Sequence, residues 1–160
     1  MKKLIVLLLA LVCVLALTGC QERASTYSFR GEHEYFTISN GSITLEDKEI
    51  VFDGGNVEIT QSGFFDEVAS YTTTFYMLTN GEQKVILSNN KIHQTGEAMS
   101  IDSDLGSISG KCVLGNGVKS VDDLKDNLWF ELKTTNLNGV ENIYQIKLVV
   151  SKLRFDEENV

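Results

Sequence analysis

Apolar and polar residues alternate along most of the chain after residue 26, and this alternation is the feature that most restricts its fold. Phe36 and Ile38 flank Thr37, and Ile43 and Leu45 flank Thr44. A period of two places alternate side chains on opposite faces of a strand. Short alternating runs separated by glycine predict an all-β domain, an antiparallel β-sandwich, with an Ig-like sandwich or a small barrel as alternatives. The absence of proline fits uninterrupted strands.

Three hairpins are predicted from glycine-containing turns in the first half of the chain. Asn-Gly dipeptides favour two-residue turns because both central residues need positive φ. A turn at Asn40-Gly41 would pair Ile38 with Ile43 and Phe36 with Leu45. A second turn over residues 53–56 would pair Phe52 with Val57 and Ile50 with Ile59, and a third at Asn80-Gly81 would join residues 68–78 to 85–87.

A fourth hairpin is predicted from residues 128–134 and 142–151, and its register depends on the length of its loop. A two-residue loop would match Leu132 with Gln145 and separate the apolar side chains onto two faces. A three-residue loop, 137–139, instead pairs Leu132 with Tyr144, Phe130 with Ile146 and Leu128 with Leu148. Gly139 suits the left-handed last position of such a loop, so this register is preferred.

This register places the one tryptophan opposite Lys147, with polar residues around it on the face away from the core. The preferred interpretation is that Trp129 lies over the Lys147 stem or under a covering loop. The alternative is a candidate binding patch made of Trp129, Glu131, Gln145 and Lys147.

One short helix is predicted near residues 120–126, between the glycine-rich segment and the closing hairpin. Ser120 can cap it, and Asp122 and Asp123 favour the positive end of a helix.

The first twenty residues have the layout of an export signal. Lys2 and Lys3 precede an apolar run over residues 4–17, which is shorter than the roughly 20 residues that span a bilayer. Leu17-Thr18-Gly19-Cys20 follows and resembles the lipobox of bacterial lipoproteins at all four positions. The resemblance implies that Cys20 carries diacylglycerol and that the Gly19–Cys20 bond is cleaved. An ordinary signal peptide that ends in Gly-Cys is the alternative.

The domain organisation follows from that interpretation. Residues 1–19 are the signal peptide, 20–26 a short tether, 27–155 one β-rich domain, and 156–160 an acidic tail. Removing residues 1–19 from the 160-residue chain leaves 141, and losing its two lysines changes the net charge from −8 to −10. Such an acidic chain has no electrostatic attraction to nucleic acid or to anionic lipid, so the lipid on Cys20 would hold it at the membrane. Cys112 then stands alone, and we expect it to be a small buried hydrophobe.

A second resemblance covers residues 29–36, Phe-Arg-Gly-Glu-His-Glu-Tyr-Phe. This segment looks like the opening strand of a family of uncharacterised lipoproteins from Gram-positive bacteria, to which no activity is attached. It favours a cell-membrane location on the extracytoplasmic face. Gln21 after Cys20 would favour the outer membrane if the cell has two membranes.

Few residues suggest chemistry. His33 lies between Glu32 and Glu34, but on a strand both carboxylates would point away from it, so a solvated strand entrance is the preferred interpretation. Residues 102–106 begin like a calcium loop and then depart from the pattern, so a turn is expected there. No metal site, cofactor or catalytic set is predicted.

The sequence therefore predicts a non-enzymatic binding or interaction module on a membrane tether, with an unknown ligand. The alternative is a carrier of a small apolar ligand or lipid, which needs a barrel cavity of roughly 300 Å³ or more. An enzyme is the third class, and it would need at least two polar groups that converge in a cleft.

Overall fold

The computed structural model describes residues 25–46, 49–61, 63–93, 96–114 and 121–153. The signal peptide, Cys20, Ser120 and the tail at 156–160 lie outside the described residues. The elements in chain order are β1 (Ser25–Glu32), β2 (Phe36–Glu46), β3 (Glu49–Asp53), β4 (Asn56–Ile59), β5 (Val68–Thr79), β6 (Glu82–Ile92), β7 (Ser107–Gly110), a 3₁₀ turn (Val121–Leu124), β8 (Leu128–Asn136), β9 (Glu141–Lys147) and β10 (Val149–Lys152).

The strands form two antiparallel sheets that pack face to face, which confirms the predicted all-β sandwich. The six-stranded sheet has the order β10-β1-β2-β3-β7, with β4 also paired to β2, and the four-stranded sheet has the order β6-β5-β8-β9. The predicted short helix is present as the single 3₁₀ turn before β8.

A row of phenylalanine rings joins the two sheets through the core. Phe29 and Phe52 of the six-stranded sheet stack with ring centroids 5.2 Å apart, and Phe52 meets Phe75 of the other sheet edge-on at 5.2 Å. Phe75 lies 5.0 Å from Phe130. Each ring is at most 2% exposed. Burial of such side chains stabilises the fold by about 1.5–3 kcal/mol each.

The hairpins predicted at Asn40-Gly41 and at residues 53–56 are wrong. β2 runs straight through Asn40-Gly41, and its first half pairs with β4 while its second half pairs with β3. Ile43 therefore lies opposite Phe52, and Ile38 lies opposite Val57. One long hairpin replaces the two short ones.

The glycines in this long hairpin permit close contacts instead of turns. Asn40 has φ of 58° and marks a bulge, because the pairing between β1 and β2 shifts by one residue there. Gly41 lies directly against the ring of Phe29, so a Cβ atom would overlap Phe29 Cε2. Gly55, with φ of 69°, lies against the Ser39 carbonyl oxygen. The two glycine-containing segments that resemble turns in the sequence therefore lie opposite each other within one pair of strands.

The other two predicted hairpins are confirmed. Asn80 and Gly81 have φ of 53° and 80°, as a two-residue primed turn requires, and Thr79 pairs with Glu82. In the closing hairpin Leu132 pairs with Tyr144, Phe130 with Ile146 and Trp129 with Lys147. Gly139 has φ of 78° at the end of the three-residue loop.

The last predicted strand, 142–151, is divided in the structure. Its first part, β9, belongs to the four-stranded sheet, and its second part, β10, crosses to the six-stranded sheet and pairs with β1. Leu148 sits at the crossing, is 1% exposed, and donates its backbone N–H to the Leu128 carbonyl oxygen at 2.9 Å. The strand breaks because it turns the corner between two layers.

Cys112 is exposed, which corrects the expectation of a buried residue. It lies in the turn that follows β7, beyond the end of the ladder between β3 and β7. Its neighbour Leu114 is buried in its place, at 3% exposure.

The sandwich has two ends, which we name from the direction of β1. The near end holds Ser25, where β1 begins, and also the 3₁₀ turn and Leu153, whose N–H bonds to the Thr26 carbonyl oxygen at 2.9 Å. The far end holds the β1–β2 turn, the segment after β4 and the β8–β9 loop. Eight residues of β1 separate the two ends, about 26 Å at about 3.3 Å per residue.

Candidate functional site

Exposed aromatic rings cluster at the far end of the sandwich. The Phe64 ring stacks on Tyr35 with centroids 3.7 Å apart and planes 13° from parallel. Phe64 follows Gly63, whose φ of 87° turns the chain after β4. The side chain remains 45% exposed even though Tyr35 covers one face of the ring. A large aromatic surface held rigid and open to solvent is typical of a binding site.

Tyr144 of β9 joins the exposed rings to the core. Its ring lies 5.8 Å from Tyr35, 6.0 Å from Phe64 and 5.6 Å from buried Phe65. Burial raises the pKa of Tyr144, and nearby Tyr35 raises it further, while a hydrogen bond with Thr134 acts in the opposite direction. Tyr144 is therefore neutral at physiological pH and offers a hydroxyl at the surface of the cluster.

His33 belongs to this cluster as a packing residue. Its ring stacks on Phe36 at 4.8 Å, its backbone N–H donates to the Phe36 carbonyl oxygen at 2.8 Å, and its Nδ1 accepts the Tyr35 N–H at 3.3 Å. The residue is half-buried in the β1–β2 turn, whereas the prediction was a solvated strand entrance. Glu32 and Glu34 are exposed, and within the described ranges no group of three or more His, Cys, Asp or Glu could hold a metal.

A small cleft of about 160 Å³ opens beside the exposed rings. The segment after β4 and the β8–β9 hairpin form its walls, and the Leu137 N–H joins them by donating to the Glu67 carbonyl oxygen at 3.0 Å. The lining residues are Gly63, Phe64, Glu67, Val68, Thr134, Asn136, Asn142 and Tyr144.

The polar groups of the cleft differ in whether other residues of the protein already hydrogen-bond to them. Asn136 Oδ1 accepts the N–H groups of Asn138 and Val140 at 3.0 and 2.9 Å, so it shapes the loop. Glu67 and Asn142 are exposed, and no described hydrogen bond or ion pair uses either side chain. These two side chains are therefore available to a ligand.

The predicted patch around Trp129 is brought together on the outer face of the four-stranded sheet. Trp129 lies opposite Lys147, and Glu131 lies opposite Gln145, whose Nε2 donates to Glu131 Oε2 at 2.7 Å. Lys147 Nζ bonds to Asp126 Oδ1 at 3.4 Å. Trp129 is partly exposed. The polar members already bind each other or a neighbour, which leaves the indole as the part of this patch that is free for a ligand.

Tyr76 lies beside Trp129 on the same face and is only 3% exposed. Burial raises the pKa of Tyr76, and the charge of Glu131 raises it further. Tyr76 therefore adds buried aromatic area beside Trp129 on this face.

Two larger depressions lie elsewhere. One, of about 270 Å³, follows the edge of β6, where Lys91 pairs with Asp102 and Tyr71 Oη accepts the Asp102 N–H at 3.0 Å. Beside it Asp104 Oδ1 accepts the Gly106 N–H at 2.8 Å, which confirms a turn at residues 102–106. The other, of about 480 Å³, is open and lies outside the six-stranded sheet beside Arg30 and Val149.

Sequence reasoning missed the far-end site, although one signal for it was present. Gly63-Phe64-Phe65 places two aromatic residues directly after a glycine, between two predicted strands. Neighbouring side chains in an extended chain point to opposite sides, so one of these two rings could have been expected to be exposed. That Tyr35 and Tyr144 lie beside it depends on contacts distant in sequence.

Comparison of the chain with protein-family models, with curated proteins and with solved structures found no match in any of the three. Within the described residues, no helix is long and apolar enough to cross a membrane.

Proposed function

We propose that this protein is an extracytoplasmic lipoprotein, anchored through Cys20, whose β-sandwich is a non-enzymatic binding module. The lipobox-like sequence Leu17-Thr18-Gly19-Cys20 supports the anchor. Two or more acyl chains on one protein hold it stably at a membrane, whereas one binds only marginally.

The observation that carries the proposal is the position of the exposed aromatic site relative to the start of β1. Only four residues, 21–24, separate Cys20 from Ser25 at the near end. A fully extended chain of that length reaches at most about 14 Å. The Phe64 site lies at the far end, so the anchor and the site occupy opposite ends of the sandwich. A binding surface directed away from the membrane is suited to a partner in the surrounding envelope.

The cleft favours binding over the alternative of a lipid carrier. A carrier needs an enclosed apolar cavity. The depressions described above are open and bordered by polar residues, and the phenylalanine row fills the centre of the sandwich. The far-end cleft also offers aromatic rings, the Glu67 carboxylate and the Asn142 amide without an activated nucleophile, which suits recognition better than catalysis.

The anchor is tested by replacing its cysteine. We expect Cys20→Ala to abolish the incorporation of radiolabelled fatty acid and to leave the protein unprocessed or released from the membrane. Cys112→Ser is the matched control, because Cys112 lies in the sandwich domain, and it should label like the wild type. Fatty-acid label in Cys20→Ala would contradict the lipoprotein assignment.

The orientation is tested separately by energy transfer to acceptor lipids in proteoliposomes. A dye is attached in a Cys112→Ser background either to Glu49→Cys at the near end or to Asn138→Cys at the far end, both of which are exposed. We expect transfer to be clearly stronger from position 49. Equal transfer from the two positions would remove the support for an outward-facing site.

A further inference from the structure

Four exposed carboxylates lie around the far-end site. Glu32 and Glu34 border the β1–β2 turn, and Asp66 and Glu67 lie in the segment that carries Phe64. Within the described ranges, no ion pair involves any of the four. The described ion pairs are Lys91–Asp102, Lys125–Asp122, Lys133–Glu141 and Lys147–Asp126.

Two of the four described pairs, Lys91–Asp102 and Lys133–Glu141, lie toward the far end of the four-stranded sheet, and in each the two charges neutralise one another. No lysine or arginine is among the described residues that line the cleft. The cleft therefore combines aromatic rings with one unpaired charge, the Glu67 carboxylate, while the exposed Arg30 lies outside the cleft, two residues before Glu32 on β1.

Exposed aliphatic side chains extend the site beyond the cleft. Leu137 and Val140 of the β8–β9 loop are 46% and 53% exposed, and Ile143 of β9 is 58% exposed. The hydrogen bond from Leu137 to Glu67 holds this loop against the segment that carries Phe64. This apolar surface beside the rings is larger than a single small cation could contact. It therefore favours a ligand that carries apolar groups of its own.

We propose that the far-end cleft binds a basic peptide segment of a partner protein. A lysine or arginine head enters beside Glu67, over the Phe64 and Tyr144 rings, while apolar neighbours of that residue pack on Leu137 and Val140. Cations are attracted both to carboxylates and to the faces of aromatic rings, and guanidinium also stacks on them. The inference rests on the proposed binding function and names the ligand class for the same site.

The negative charge around the cleft also disfavours the other classes of ligand that a cell envelope offers. Anionic polymers and anionic lipid headgroups would be repelled by the four carboxylates. A neutral glycan could stack on Phe64 but would gain little from the excess of negative charge, so it serves as the competing ligand in the test.

The experiment measures the affinity of the full processed protein, in non-ionic detergent, for dye-labelled hexa-arginine by fluorescence anisotropy. Hexa-glutamate and a neutral chitin oligosaccharide are the comparison probes. We expect hexa-arginine alone to bind, and Glu67→Gln to weaken it about fivefold, the effect of a partly exposed ion pair. Phe64→Ala should weaken it by a similar factor.

Matched controls lie at the near end. Glu49→Gln removes an exposed carboxylate and Val85→Ala removes an exposed apolar side chain, and both should leave the affinity within twofold of the wild type. Circular dichroism of each variant verifies folding.

The outcomes separate the ligand class from the binding function. Equal weakening by Glu67→Gln and Glu49→Gln would overturn the inference, because it would indicate attraction to net charge alone. Oligosaccharide binding that depends on Phe64 but not on Glu67 would overturn the ligand class while leaving the proposed binding function intact. Failure of all three probes, with Cys20 lipidated, would overturn the inference without touching the anchor.

Discussion

Gly41→Ala tests whether the centre of the long hairpin depends on close packing. A Cβ atom at position 41 would overlap the ring of Phe29, and that ring cannot easily move. Phe52 stacks on it at 5.2 Å and Phe75 meets it edge-on at 5.7 Å. Overpacking of a filled core typically destabilises by 1–3 kcal/mol, and we expect about 2–3 kcal/mol here because three rings must shift together. A loss of that size lowers the melting temperature of a domain of this length by about 10 °C.

The matched control is Gly81→Ala in the turn between β5 and β6. Gly81 has φ of 80°, but no atom beyond its two chain neighbours lies within 4 Å of the place that a Cβ would take, so its substitution should cost about 1 kcal/mol from backbone strain alone. Urea unfolding followed by Trp129 fluorescence measures both variants. If Gly41→Ala destabilises no more than Gly81→Ala, the contact with Phe29 is not a close one.

A double-mutant cycle identifies the ring as the cause. Phe29→Leu alone should destabilise by about 1–2 kcal/mol, since it removes part of a buried ring. Combined with Gly41→Ala it should lose at least about 1 kcal/mol less than the two single losses together, because the smaller side chain makes room for the new methyl group. Strict additivity would refute the steric reasoning.

Side-chain exposure and burial give three further predictions. Cys112 is exposed, so a maleimide should label it fully in the folded protein, and a requirement for urea would contradict the structure. Burial raises the pKa of Tyr71, Tyr76 and Tyr144. The folded state therefore favours the neutral phenols, so stability should be fully present below about pH 10 and fall as the pH rises above it. The midpoint of unfolding is measured at several pH values, and tyrosinate absorbance at 295 nm reports the ionisation of the phenols. A midpoint that does not change with pH above about pH 10 would contradict the prediction. Trp129 is partly exposed, so acrylamide should quench it measurably in the folded protein, and complete protection would exclude the Trp129 patch as a binding surface.

The sequence predicts those parts of the fold that depend on nearby residues and on which apolar side chains must lie on the same face of a sheet. The closing register was predictable because Leu128, Phe130 and Leu132 must share a face with Tyr144 and Ile146, and a single loop length satisfies that requirement. The sandwich and the Asn80-Gly81 hairpin follow from the same local pattern.

The two Asn-Gly dipeptides show where local pattern is insufficient. Asn40 and Asn80 have nearly the same backbone conformation, with φ of 58° and 53°. One is a bulge within a strand and the other begins a turn, and the difference lies in partners distant in sequence. Gly41 faces Phe29 and Gly55, while Gly81 faces solvent.

The far-end site was unpredictable for the same reason. It draws Tyr35, Phe64 and Tyr144 from three segments that only the sheet topology brings together. The four residues of the predicted Trp129 patch, by contrast, lie on two neighbouring strands, so their proximity could be deduced from one hairpin register.

The crossing of the last strand between the two sheets at Leu148 has a consequence for folding during synthesis of the chain. β1 is the first described strand in chain order, yet one of its two neighbours is β10, and Phe29 pairs with Val150 more than a hundred residues later. Until β10 arrives, one side of β1 is an unprotected edge that carries Tyr27 and Phe29, the kind of edge that recruits strands from other molecules. Folding must therefore wait for nearly the whole chain, and such distant pairing is intrinsically slow. A chain that terminates before Val149 would keep this edge permanently open, so early termination should produce aggregates and not a smaller working domain.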